Sequence, residues 1–154
     1  MADRCEITVV ADNYIDIFLP STDRVLYPVA GKGSQLWAEQ GLSLFVEVFE
    51  EGRSLKILYD FGRSAQVVPH NMELLGIDPG HFDYLVLSHG HVDHYGNLSN
   101  MLVSTPAHCR LVLHPDAYGR KRFVKTGESR YAGPWIIENG LIEAFPARTI
   151  RSTV

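Results

Sequence analysis

A short apolar run, Tyr84-Leu85-Val86-Leu87-Ser88, opens directly onto His89-Gly90-His91-Val92-Asp93-His94. No other feature narrows the possible folds of this chain as much. A brief apolar run closed by a turn is the pattern of a strand covered on both faces, which places it at the centre of a sheet packed with helices. Four side chains able to ligate a metal stand at its end. In an extended segment His89 and His91 project to the same side, so two imidazoles can reach one ion. Asp93 and His94 lie just beyond, where the chain turns toward a helix, and address a second ion beside the first. Gly90 gives the backbone room to turn tightly between two ligands. The bland alternative, polar loop residues at a strand end, leaves the clustered histidines without a packing role.

The remaining pattern supplies layers around that strand. Glu6 to Val10 reads as a first strand, from its β-branched Ile7, Thr8, Val9 and Val10. Ala11 to Gly41 holds Pro20, Pro28, Gly31 and Gly33 without a sustained period, a long loop with at most a helical turn, of the kind that borders active sites. Leu42, Leu44, Val46 and Val48 alternate with Ser43, Phe45, Glu47 and Phe49 as a strand, and Leu55 to Tyr59 returns across Glu51-Gly52 as a hairpin. Ser64 is placed to cap a helix running to about Leu75 with Gly76 as its stop, and Pro69 lies near enough to the start to be tolerated. Gly96 to Val103 reads as a helix and Arg110 to His114 as a strand. Pro115 to Arg122 reads as a short helix followed by a basic loop. Trp135 to Glu138 and Leu141 to Phe145 are expected to pair across Asn139-Gly140. Strands, helix, strand, helix and strand in that order predict an α/β (α+β layered) fold.

The 154 residues are about one domain's worth, and 45% hydrophobic with 21% charged residues is enough for a core without disulfide staples. Cys5 and Cys109 are far apart with no CxxC, so two free thiols are expected. Met1-Ala2-Asp3-Arg4-Cys5-Glu6 carries acids where a secretory signal needs a basic end, and no apolar run approaches the roughly 20 residues of a membrane span. A cytoplasmic location and no membrane partner are the expectation. A formal charge of −4 argues against nucleic acid as a partner. Within that total, Arg110 to Tyr131 carries six bases against two acids. Arg120, Lys121, Arg122 and Lys125 are therefore candidates for meeting a phosphate or another anionic part of a substrate, against the plainer reading of a solvated loop.

At the histidine-rich segment the chain resembles the metallo-β-lactamase superfamily, over about Ile7 to His114. Asp60-Phe61-Gly62, at the end of the preceding strand, is similar to the family's Asp-x-Gly turn. Asp12-Asn13, Leu74-Leu75-Gly76-Ile77, Ser88-His89-Gly90-His91 and Leu113-His114-Pro115 resemble the branch of metal-dependent hydrolases related to dihydropterin ribofuranosyl-aminobenzene phosphate synthase. The resemblance implies an αβ/βα sandwich of which residues 1–154 would be the N-terminal part. It implies that His89 and His91 bind a first divalent ion and that Asp93 and His94 bind a second. The ions would be zinc, with iron or manganese as the other choices. Asp93 would also be catalytic, orienting a metal-activated water, and Asp60 would hold the ligand loop by hydrogen bonds. Read from the residues alone, Asp60 is a turn residue capping backbone N–H groups, and the two roles can coexist.

The family's second half, which supplies a third histidine, a bridging aspartate and a final histidine, has no counterpart after Leu113. His114 is the best placed of the remaining histidines; His70 and His81 fall on surface segments and His108 follows a proline turn. Two readings therefore stand. One is a dinuclear hydrolase acting on a small-molecule substrate. The other is a non-catalytic metal-binding or interaction half-domain that needs a partner chain. In either case the sheet face bearing Leu42, Leu44, Val46 and Val48 is expected to be covered by a second copy of the chain or by a separately encoded C-terminal half.

Overall fold

Alternation along the first strands builds an antiparallel meander in the computed structural model, which describes residues 2–16, 20, 22–23 and 35–153. Strand β1 (Arg4–Ala11) pairs with β2 (Ser43–Glu50), and β2 with β3 (Arg53–Tyr59). Glu51 and Gly52, both at positive φ, make the β2–β3 turn. From β3 the sheet continues in parallel through β4 (Tyr84–Leu87), β5 (Arg110–Leu113) and the short β8 (Thr149–Arg151), in the order β1-β2-β3-β4-β5-β8. Strands β6 (Arg122–Lys125) and β7 (Tyr131–Trp135) form a separate two-stranded hairpin. The helices are α1 (Val67–Leu75), α2 (Val92–Tyr95), α3 (Leu98–Ser104) and α4 (Asn139–Glu143). The mixed α/β class expected from the element order is the observed one. Among the described residues no helix is long and apolar enough to cross a membrane.

The two sheet faces differ. On one, Val10, Leu58, Leu85, Leu87, Leu111 and Leu113 are buried in a single cluster with Val67, Val68 and Met72 of α1 and Leu98, Met101 and Leu102 of α3. On the other, Ile7, Val46 and Ile57 lie side by side in register, as do Val9, Leu44 and Tyr59. Here Ile7 is 62% and Val9 53% exposed, and Leu44, Val46, Val48 and Ile57 are only half-buried. Leu42, expected on this face, precedes the strand and gives its N–H to the Asp93 carbonyl.

A buried arginine closes the covered side. Arg148, 9% exposed, donates from Nε to the Cys109 carbonyl (2.8 Å), from Nη1 to the Leu102 carbonyl (2.8 Å) and from Nη2 to Thr105 Oγ1 (2.6 Å). Two of these acceptors sit at the C-terminal end of α3, where orphan carbonyls carry partial negative charge and favour a cation. Cys5 is exposed and Cys109 buried, both as free thiols, and burial pushes the Cys109 thiol up.

Several elements differ from the sequence expectation. Helix α1 begins at Val67 with Gln66, rather than Ser64, as its N-cap, although Ser64 Oγ accepts from the Val67 N–H, and it stops at Gly76 in the left-handed conformation as expected. The short helix expected over Pro115 to Arg122 is a single 3-10 turn, Pro115–Ala117, and the chain then enters β6. No hairpin spans Asn139-Gly140: those residues open α4. The apolar residues after them, Leu141, Ile142 and Phe145, follow helical spacing, and Ile142 is buried. Trp135 pairs back with Arg122 instead. The long loop expected over Ala11 to Gly41 lies partly outside the described residues, with Pro28, Gly31 and Gly33.

Candidate metal centre

The histidine loop leaves β4 beside the end of β3, because Tyr59 and Val86 are parallel partners. The Asp60 N–H donates to the Val86 carbonyl, so Asp60 and Ser88 emerge as neighbours. The loop is then stitched to the Asp60-Phe61-Gly62 turn through the main chain. Phe61 N–H donates to the His94 carbonyl (2.7 Å) and Gly96 N–H to the Gly62 carbonyl (2.8 Å). A β-carbon at Gly96 would collide with the Arg63 carbonyl, so only glycine lets α2 lie this close to the turn.

Asp60 organises the side chains. It is fully buried and holds φ 58, a left-handed conformation that aspartate tolerates better than most residues. Its Oδ1 accepts from the Ser88 N–H (2.8 Å); its Oδ2 accepts from Ser88 Oγ (2.7 Å) and His94 Nδ1 (2.7 Å). A carboxylate only accepts, so the Ser88 hydroxyl proton points at Asp60 and the Ser88 oxygen is free to accept from His89 Nδ1, 2.9 Å away. One carboxylate thereby sets two imidazoles in the same tautomer, protonated on Nδ1 with the Nε2 lone pair outward. His89 Nε2 lies 2.9 Å from His91 Nδ1, and the His89 ring centroid is 4.1 Å from that of His94. Burial lowers the His89 pKa below the ordinary histidine value, and repulsion from His94 and His91 adds to it. His89 is therefore poised as a neutral donor.

Imidazole nitrogens brought together in this way are the donor chemistry of a zinc-type site. Asp93 Oδ2 lies 4.0 Å from His94 Nε2, a second donor pair beside the first. Among the described residues no group of three or more His, Cys, Asp or Glu side chains closes on a single ion. The loop fits a metal in donor type and supplies only part of a coordination shell. His114 does not complete it. Its Nδ1 accepts from the Asp116 N–H (3.0 Å), capping the turn that follows β5, and its side chain is 48% exposed. His70 stacks on Trp37, and His81 faces Asp78.

The basic candidates separate in space. Arg120 pairs with Asp116 at 2.7 Å, and Lys121 and Lys125 are exposed. Arg122 alone turns inward, donating to the carbonyls of Asp116, Ala117 and Arg120, with its guanidinium against Gly90 of the histidine loop. Sequence reading missed two participants. Ser88 is the relay between Asp60 and His89, and its signal was a hydroxyl immediately before the first histidine. Tyr95 donates from its phenol to the Ile136 carbonyl (3.2 Å), tying α2 to the segment after β7. Burial raises the Tyr95 pKa, which keeps that donor protonated.

The family model of the metallo-β-lactamase superfamily matches residues 36–151. A protein of Methanocaldococcus jannaschii named 7,8-dihydropterin-6-methyl-4-(beta-D-ribofuranosyl)-aminobenzene-5'-phosphate synthase is 35% identical over 89 residues, covering 58% of this chain and 30% of its own. An uncharacterized protein of the same organism is 30% identical over 99 residues, covering 64% of this chain and 35% of its own. The chain thus matches about a third of the length of these curated relatives. Among solved structures, a metallo-β-lactamase of Novosphingobium pentaromativorans aligns with a TM-score of 0.47 at 20% identity, over 75% of this chain and 40% of that one. A metallo-β-lactamase of Cronobacter sakazakii aligns with a TM-score of 0.41 at 22% identity, over 62% and 40%.

Proposed function

The chain belongs to the metallo-β-lactamase superfamily, and from that premise we propose that it carries the ligand loop of a metal-dependent hydrolase. The observation behind this reading is the pair His89 Nε2 and His91 Nδ1, 2.9 Å apart, with the tautomer of His89 set through Ser88 by Asp60. His89 and His91 would hold a first divalent ion; Asp93 and His94 would hold a second. Imidazole and carboxylate donors suit zinc, with iron and manganese as the alternatives. A bound ion would lower the pKa of water toward about 7 and polarise a carbonyl or phosphoryl oxygen. The chain's own part is positional. Asp60 holds the Nδ1 proton of His94 directly and that of His89 through Ser88, and Asp93 would orient the attacking water by accepting its hydrogen bond. The test loads the purified chain with Zn²⁺, Fe²⁺ or Mn²⁺ and follows hydrolysis of phosphomonoesters, phosphodiesters and lactams. Turnover abolished by a chelator supports the reading. Metal binding without turnover on any of them favours the second one, a non-catalytic half-domain.

A phosphate-bearing small molecule is the proposed substrate class. The printed name of the 35% identical relative contains a 5'-phosphate, and the exposed Lys121 and Lys125 are free to meet such a group. Lys121→Glu with Lys125→Glu should raise KM for phosphate-bearing substrates more than for neutral ones. Equal effects on both would return these lysines to the solvated loop.

The half-exposed sheet face is proposed to be an interface, for a second copy of this chain or for a chain supplying the complementary half. Each Ile, Val or Leu fully buried there would contribute about 1.5–3 kcal/mol. Ile7→Lys with Val9→Glu should convert a dimer to monomer in light scattering. A wild-type chain that is a compact monomer at micromolar concentration, binds no apolar dye and ignores a candidate C-terminal half would show the face to be free.

A further inference from the structure

We infer that Arg122 is a positioning residue for the histidine loop, a role that rests on the metal-site reading above and goes beyond its place in a basic surface window. The guanidinium gathers three main-chain carbonyls of the preceding turn. Its Nη1 donates to Ala117 (3.0 Å) and Arg120 (3.2 Å), and its Nη2 donates to Asp116. The plate so built lies against Gly90. A β-carbon there would collide with the Ala117 carbonyl and stand 2.7 Å from both Cζ and Nη1 of Arg122. Gly90 separates His89 from His91, so whatever presses on its α-carbon sets how the two rings approach one another. The far side of the loop is fixed too, by the main-chain bonds to the Asp60 turn and by the Tyr95 phenol on Ile136. The loop is held between these ties and the Arg122 plate. The burial pattern agrees: Arg122 is half-buried, while Arg120, Lys121, Lys125 and Arg130 of the same window are exposed.

The task calls for arginine. A planar fork of several donors can collect carbonyls in one plane and still present a flat face to a backbone; the single ammonium of lysine cannot. Arg122→Lys should therefore behave like Arg122→Met, although it keeps the charge. Loss of a group that orients metal ligands typically weakens metal affinity about 10–100-fold.

The experiment records imidazole ¹H–¹⁵N spectra of the metal-free chain for wild type, Arg122→Met, Arg122→Lys and the exposed control Arg130→Met, followed by Co²⁺ titration of each. The expected result is displaced ring resonances for His89 and His91 in both Arg122 variants, with His70 and His81 unmoved as reporters of an intact fold, and Co²⁺ affinity lower by about 10–100-fold. Arg130→Met should match wild type. Unmoved His89 and His91 resonances in Arg122→Lys, or equal displacement in Arg130→Met, overturns the inference, and Arg122→Lys decides it if the methionine variant fails to fold. If wild type binds no Co²⁺ while the ring resonances still respond to Arg122 alone, the metal reading fails and the positioning role stands.

Discussion

Asp60→Asn should destabilise the metal-free chain by about 2–4 kcal/mol, a large effect for a substitution that changes one heavy atom. The carboxylate is fully buried and accepts three hydrogen bonds, from the Ser88 N–H, the Ser88 hydroxyl and His94 Nδ1. An amide keeps one accepting oxygen and turns an NH₂ toward groups that are themselves donors. At least one partner must then rotate away or lose its bond, and an unsatisfied buried donor costs about 1–3 kcal/mol. Asparagine is the informative choice because it tolerates the left-handed conformation at φ 58. Alanine would add about 1–2 kcal/mol of backbone strain. The same substitution releases the tautomers of His89 and His94, so metal affinity should fall about 10–100-fold as well. Urea unfolding and Co²⁺ titration measure the two effects separately. A variant within about 0.5 kcal/mol of wild type would mean that the network seen around Asp60 contributes little.

What the sequence made legible and what it hid have physical reasons. β2, β3 and β4 were readable because their apolar residues alternate or run together between turn residues, and α1 because Gly76 terminates it in the left-handed conformation. The end of the chain was not. Asn139-Gly140 reads as a two-residue turn only if strands flank it, and the apolar residues after it follow a helical period that a five-residue segment is too short to declare. β8 has three residues and no alternation, and it exists because Leu111 and Leu113 of β5 offer a parallel partner. At the site, the histidines and Asp93 were visible as residue types in a spacing, and Asp60 as a turn residue. Ser88 and Arg122 were invisible in those roles, since a hydroxyl and a base gain them only from what the fold sets beside them. Nothing in the charge run separated Arg122 from Lys121. The turn of β6 that sends one inward and leaves the other in water is a tertiary fact.

Replacing His89 and His91 together by alanine should remove first-site metal binding altogether, the largest functional effect expected for this chain. Its two convergent nitrogens disappear at once, whereas either single variant leaves one donor. Asp93 and His94 remain, so metal content by elemental analysis should fall without reaching zero if a second ion binds beside the first. The pH dependence provides an independent check. A metal competes with protons for imidazole nitrogen, so affinity is lost once pH falls below the pKa of the donor. Burial, and then repulsion from His94 and His91, hold His89 below the ordinary histidine value. The sign follows: a lowered pKa keeps the His89 ring neutral in mild acid, so its ¹H–¹⁵N resonances should stay those of a neutral imidazole just below about pH 6.5, where an ordinary histidine has begun to protonate. Imidazole spectra of the metal-free chain, recorded from neutral pH into mild acid, follow His89 separately from the other ligands. A His89 ring that protonates already at the ordinary histidine value would contradict the role given to it, and unchanged metal stoichiometry in the double variant would remove both histidines from the site.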